Sequence, residues 1–268
     1  MIRVFVEGIG LAGPGLDGWL AARPVLAGIE PYQPREFVLQ PIALLPPAER
    51  RRAGLVVKLA ICVGIEALGH AGRDAAAMAT VFTSSGGDGE TIHETLSVLA
   101  TDQREVSPTR FHNSVHNAPS GYWAVATGSR EPSTSLSAFD ASFVAGLLDA
   151  ASQSKVDDRP VTLIAYDAPY PEPLHSVRPI SGIFGMALVL TPRPTERTAA
   201  ALSLRVRGIG EPGPPATAMV DPALERLRAG NPAARGLPLL AQIARGQAGM
   251  VHLETSTGSF VGIGVAPA

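Results

Sequence analysis

A few residues carry chemistry by type and place. Asp140 stands where the short run Ser133–Phe139 turns into a wholly apolar helical stretch. A carboxylate there accepts backbone N–H bonds and meets the positive end of the helix dipole, a capping role worth about 1 kcal/mol. A role in a site needs further context. His112 and His116 stand four apart in FHNSVHN, the spacing that sets two imidazoles on one helix face for a metal. The Glu of H-E-x-x-H is absent, and Pro108 and Pro119 bracket the segment. Pocket or interface lining is the better reading, and no metal is expected. Thr83–Gly89, TSSGGDG, joins a strand to a helix, where backbone N–H groups can cradle phosphate. It lacks both the P-loop lysine and the G-x-G-x-x-G spacing, so a plain turn is expected. No serine has the G-x-S-x-G frame of a hydrolase elbow. Cys62 lies in the most apolar helix, where its thiol is expected to be inert core.

The elements that must position these groups follow from apolar periodicity. β-type runs occur at Ile2–Val6, Thr80–Thr83, Val161–Tyr166, Ile183–Leu190, Leu202–Ile209, Met250–Glu254 and Phe260–Val265, most of them bounded by Gly or Pro. Helical patterns alternate with several of them, at Glu49–Ala71, Glu90–Ala100, Asn117–Thr127, Ala141–Ser152 and Asp221–Ala229. Such alternation argues α/β layers. Leu55–Leu68 and Phe143–Ala151 are apolar nearly all round and must be covered on every side, between sheets or between subunits. The tract Gly208–Ala216, GIGEPGPPA, is a candidate seam, and Leu202–Ile209 before it resembles Ile2–Gly10, both ending in Gly-Ile-Gly.

Composition limits the function classes. The chain has 268 residues, with 22 Lys+Arg against 24 Asp+Glu and a formal charge of −2, giving no electrostatic reason to bind nucleic acid or an anionic membrane. Hydrophobic residues are 46% and charged ones 17%, so one compact domain with a large core is expected. A single cysteine forbids an intrachain disulfide and any cysteine-based metal framework. MIRVFVEGIG lacks the positive n-region, unbroken apolar h-region and small-residue cleavage site of a signal peptide, so export is not expected, and the longest apolar stretch is short of the ~20 residues of a membrane span. A cytoplasmic protein is expected.

Several blocks resemble a β-ketoacyl synthase of the thiolase superfamily. RVFVEGIG with Pro14-Gly15, Trp19 and Ala27-Gly28 resembles the family's first strand and helix, and Ala48–Gly72 its first long helix with a basic start. VFTSSGGDGET resembles the next strand and glycine turn, and Ser107–Ser135 the segment running towards the nucleophile. With Pro132-Ser133-Thr134-Ser135 laid on the family's Pro-Asn-Thr-Ser, the ungapped register puts Asp140 on the catalytic cysteine and Asp149-Ala150 on the Asp-Ala ending the nucleophile helix. A carboxylate is a weak nucleophile and would give only a labile anhydride with a thioester. The family's two C-terminal histidines also lack counterparts: Thr255–Gly264 resembles the glycine-rich loop but has no histidine.

The resemblance implies a thiolase-like layered αβαβα fold in one domain, with residues 1–190 as a well-matched first half and 191–268 as a shortened second half. Together with TSLSAFDASFVAGLLDA, it resembles the short N-terminal-domain forms associated with aryl polyene pigment biosynthesis. It implies a silent, chain-length-factor-like partner of an active ketosynthase, or a homodimer, serving an acyl carrier protein without a cofactor. Arg110, Phe111, His112, Asn113, His116, Asn117, Tyr122 and Trp123, with Phe139, Asp140 and Phe143, are the expected interface or acyl-pocket residues. Tyr122 and Trp123 could instead fill the core. The rivals are a shortened condensing or decarboxylating enzyme using His112 or His116, and a homodimeric binder of acyl thioesters.

Overall fold

The computed structural model describes residues 1–39, 43–102, 104–207, 214–255 and 259–267. Nine strands form one mixed sheet among these residues. They are β1 (Ile2–Gly13), β2 (Leu16–Asp17), β3 (Ala79–Thr83), β4 (Ser133–Leu136), β5 (Val161–Asp167), β6 (Phe184–Thr191), β7 (Ala200–Val206), β8 (Gly249–Glu254) and β9 (Phe260–Pro267). The helices are α1 (Trp19–Leu26), α2 (Pro47–Arg52), α3 (Leu55–Ala71), α4 (Gly89–Leu99), α5 (Pro108–Asn113), α6 (Ala118–Thr127), α7 (Ser142–Val156), α8 (Leu174–Val177), α9 (Pro222–Gly230) and α10 (Leu237–Arg245).

The sheet runs β4-β3-β5-β6-β1-β7-β9-β8, with β2 folded back on β1. Its first five strands carry parallel pairs β4–β3 and β3–β5, then antiparallel β5–β6 and β6–β1. The last three repeat part of this plan: β7 stands to β9 and β8 as β1 stands to β6 and β5, each pair antiparallel. Among the described residues, counterparts of β3 and β4 are missing from that set. The two sets meet where β1 pairs antiparallel with β7, from Ile2 opposite Leu204 to Val6 opposite Ala200.

One face of the first set is covered by α3 and α6, whose core includes Val57, Ile61, Phe82, Trp123 and Ile164. The other face is covered by α7, and its core continues through α1 and α10 to the inner faces of β7, β9 and β8. Helix, sheet, helix, sheet is therefore the layer order, an α/β fold of thiolase type. The outer face of β7, β9 and β8 is open, with Met250 57% exposed. The edge of β8 is partly occupied, since Thr217 N–H donates to the His252 carbonyl and His252 N–H to the Thr217 hydroxyl.

Several boundaries differ from those expected, for physical reasons. The sequence EGIGLAG reads as a turn, yet β1 continues through it to Gly13. Its glycines serve contact instead: a Cβ on Gly8 would lie 2.0 Å from the Ala67 carbonyl oxygen, and one on Gly10 1.9 Å from that of Val63. The backbone of α3 thus rests directly on β1. The expected helix Glu49–Ala71 is broken into α2 and α3, because Ala53 and Gly54 are extended. α3 is an outer helix, and Leu55, Lys58, Cys62, Ile65 and Gly69 form an exposed or half-buried stripe along it, so Cys62 is not full core. α10 escaped the pattern reading because Pro238 looks like a breaker, whereas a helix tolerates proline in its first turn. Of the seam Gly208–Ala216, residues 208–213 lie outside the described residues, as do 256–258 of the glycine-rich segment. No helix among the described residues is long and apolar enough to cross a membrane.

Gly10→Ala is expected to destabilise by more than about 2 kcal/mol, since the clash is with backbone that cannot turn aside. Gly69→Ala, on α3 with nothing within 4 Å of its Cβ, should instead gain up to about 1 kcal/mol. Denaturant unfolding of both variants checks the pair, and equal effects would refute the contact.

Candidate functional site

The carboxyl ends of the parallel strands β4, β3 and β5 converge on the start of α7, the usual place for a site in a parallel sheet. Thr83, ending β3, anchors α7 by donating its hydroxyl to the Ser142 carbonyl at 2.7 Å. Close packing there is permitted by Gly146, where a Cβ would lie 2.7 Å from the Thr83 methyl. A single turn of 3-10 helix, Phe139–Ala141, leads into α7. Phe139 holds φ at +54°, left-handed backbone that costs a bulky residue on the order of 1–3 kcal/mol and is common at functional turns. As a residue it is 58% exposed.

Asp140 follows on this strained turn. It does not cap α7: the cap position is Ala141, and no side chain bonds there. Its carboxylate turns to two arginines, Oδ1 accepting from Arg178 at 2.8 Å and Oδ2 from Arg235 at 3.4 Å. Arg178 directly follows α8, and its guanidinium lies 3.5 Å over the Phe139 ring, a cation–π contact that fixes its position. Arg235 comes from the short turn Ala233–Gly236 before α10.

Beside this cluster lies a buried carboxylate. Asp167 ends β5, and its Oδ1 accepts from the Ser84 hydroxyl and from both the N–H and the hydroxyl of Ser85, at 2.8–3.0 Å. Burial pushes its acid up to about 6 from an ordinary 3.8, with the bonds from Ser85 and Ser84 opposing. Asn231 ties the same strand end to the turn before α10, donating to the Asp167 and Gly182 carbonyls and accepting from Ala233 N–H. The Ser84 hydroxyl also accepts from Gly87 N–H, and His116 Nε2–H donates to the Ser84 carbonyl at 3.2 Å. The glycines of TSSGGDG admit a phenol: a Cβ on Gly86 would lie 1.8 Å from the Tyr170 hydroxyl, and one on Gly89 2.2 Å from its ring. Tyr170 thus lies over the turn where a phosphate would have to sit.

The expected site residues divide by burial. Phe111, His112, Asn117 and Phe139 are exposed, His116 and Asp140 half-buried. Phe111, at 69% exposure, joins His112, Val115, Asn117, Ala118 and Gly121 around a hollow of about 330 Å³. Asn113, Tyr122, Trp123 and Phe143 are interior. Asn113 links α5 and α6 to the end of α2, donating to the Arg52 carbonyl and accepting from the Tyr122 hydroxyl. Trp123 packs edge-on to Phe82 against Gly64 of α3. α5 ends at Asn113 and α6 starts at Ala118, so His112 and His116 share no helix face. Among the described residues, no group of three His, Cys, Asp or Glu side chains could hold a metal. Arg110 pairs with Glu94 at 2.7 Å beside a cavity of about 620 Å³. That cavity is lined by three arginines and three acids but not by Asp140 or its partners. Asp167, Arg178, Arg235 and Tyr170 were not foreseen. Only Asp167 had a local signal, an acid closing an apolar strand.

The sequence matches the family described as β-ketoacyl synthase, N-terminal domain, over residues 25–248. The chain belongs to this family. No curated protein matches the sequence. Among solved structures, the ketosynthase ApeO in complex with its chain length factor ApeC, from Xenorhabdus doucetiae, is similar with a TM-score of 0.74 and 21% identity. The match covers 98% of this chain and 100% of that one. The ishigamide ketosynthase/chain length factor has a TM-score of 0.73 at 14% identity, covering 100% and 99%. AntDE:AntF, a type II carrier protein in complex with its hexaketide-bound ketosynthase, has 0.74 at 12%, also covering 100% and 99%. At these identities the likeness is one of fold. The β-ketoacyl synthase framework thus surrounds Asp140.

The raised pKa of Asp167 has a definite consequence for stability. The folded chain holds this proton more tightly than the unfolded chain, so its contribution is fully present below about pH 3.8 and is lost as pH rises through about 6. Asp167→Asn should remove that part of the slope. Unfolding free energies of variant relative to wild type are expected to rise between pH 4 and pH 7 by up to about 3 kcal/mol. A constant difference across that range would refute the assignment.

Proposed function

We propose that the protein is a catalytically silent β-ketoacyl synthase homologue that pairs with an active ketosynthase in the manner of a chain length factor. The observation that carries this reading is the state of Asp140. In the ungapped family register it stands on the nucleophile, and its carboxylate is engaged by Arg178 and Arg235. A thiolate at a helix head attacks a thioester and holds the acyl group, whereas a carboxylate shared between two guanidiniums is a poor nucleophile with a labile product. The decarboxylating rival loses support because His116 is bound to the Ser84 carbonyl and His112 faces outward, with its ring 6.3 Å from that of Tyr122.

A partner surface supports the same reading. Thr80 and Ser84 N–H groups donate to the Pro132 and Leu136 carbonyls, so strand alternation turns the backbone groups of Ser133 and Ser135 towards the free edge of β4. An unpaired edge invites a second strand. Near it α5, α6 and the turn between them expose Phe111, Val125 and Val115, apolar surface suited to a partner. In this reading residues 1–190 form the complete half and 191–268 the shortened one, and the pair is cytoplasmic, without a cofactor. It helps hold an acyl chain presented by an acyl carrier protein, in biosynthesis of aryl polyene type.

Purified alone, the protein should accept no radiolabelled acyl group from acyl carrier protein. Loading that disappears in Asp140→Ala would overturn the reading. Co-expressed with a ketosynthase from the same gene neighbourhood, it should elute as a heterodimer. Ser135→Pro removes an outward N–H and the long hydroxyl bond to Ser120, and is expected to abolish pairing while leaving the chain folded. A homodimer that excludes the ketosynthase would favour the thioester-binding rival.

A further inference from the structure

The head of α7 carries more positive charge than Asp140 balances. Arg178 and Arg235 reach the same carboxylate through one N–H each. Among the described residues, neither guanidinium has a second carboxylate partner. Each guanidinium owns five N–H donors, and among the described residues Arg235 Nε is buried without a hydrogen-bond partner. Two cations thus share one anion at the N-terminal end of a 15-residue helix, whose dipole adds potential of the same sign.

The two arginines also arrive from separate segments and are fixed before any ligand comes. The Phe139 ring supports Arg178, and Asn231, next to the Ala233–Gly236 turn, bonds the end of β5 to the start of that turn. The place is reachable, since the side chains of Arg178, Arg235 and Asp140 are 24%, 23% and 43% exposed. An ion pair this open to water is weak and screened by salt. A carboxylate that takes two parallel N–H bonds from one guanidinium would hold better than the single bonds now made.

We infer that Arg178 and Arg235 form a receptor for a ligand carboxylate, with Asp140 as its resident, displaceable occupant. The ligand is a small free acid or the acid end of an acyl thioester. The inference needs only the charges and geometry and does not rest on the silent-partner reading, whose acyl-loading test is separate.

Calorimetric titration tests it with succinate, the succinyl and acetyl thioesters of N-acetylcysteamine, inorganic phosphate, and sodium chloride at matched ionic strength. In the isosteric variant Asp140→Asn, at least one of the two succinyl-bearing probes should bind about tenfold tighter than in wild type. That binding should vanish when Arg178→Ala and Arg235→Ala are added. The stronger of free succinate and the succinyl thioester identifies the source. Equal binding in wild type and Asp140→Asn, survival without both arginines, reproduction by sodium chloride, or a preference for phosphate would each overturn the assignment. If Asp140→Asn does not fold, NMR decides with wild-type protein. Succinate should then shift the Arg178 and Arg235 side-chain N–H signals saturably, and a linear drift common to all arginines would overturn it.

Discussion

The fold depends on the backbone of α3 touching the backbone of β1. Helix and sheet layers are ordinarily held apart by side chains, and only glycine lets carbonyl oxygens of a helix approach a strand this closely. Gly8 and Gly10 supply that approach at Ala67 and Val63. Because β1 also pairs with β6 on one side and β7 on the other, the same contact sets the height of both strand sets over one helix. Everything at the carboxyl ends of β3 and β5 inherits its position from this seating, since β5 is joined to β1 through β6.

Local pattern carried much of this architecture. The apolar runs that became β3, β5, β6, β8 and β9 are bounded by Gly or Pro, and the sheet confirmed their places to within a few residues. Pattern failed where one residue type serves two purposes. Glycine in β1 looks like a turn but is a contact, and Pro238 looks like a breaker but begins α10. The site was legible in a different degree. Asp140 could be placed at a helix head from neighbouring residues alone. Its partners lie 38 and 95 positions further on, in segments without periodicity, so no reading of neighbours could find them. The same holds for Tyr170, whose fit into the glycines of TSSGGDG is visible only in three dimensions.

The proposed reading makes the site an exchange of the reactive group within one framework. A helix N-terminus favours any anion, whether thiolate or carboxylate, so in that reading Asp140 preserves the charge expected at that place while changing its chemistry. The strained backbone at Phe139 persists beside it. The polar core below, where Asp167 gathers Ser84 and Ser85, holds the strand ends together irrespective of what stands at the helix head.

The incomplete repeat of the sheet limits how this chain can assemble. Among the described residues, the first strand set ends in the bare edge of β4, the second set has no equivalent strand, and the β8 edge at the far end is partly taken up by Thr217. A chain with two such edges could extend into fibres or open ladders. In the proposed pairing β4 offers a single handshake, one partner strand along one edge, and the complex expected from it is one to one.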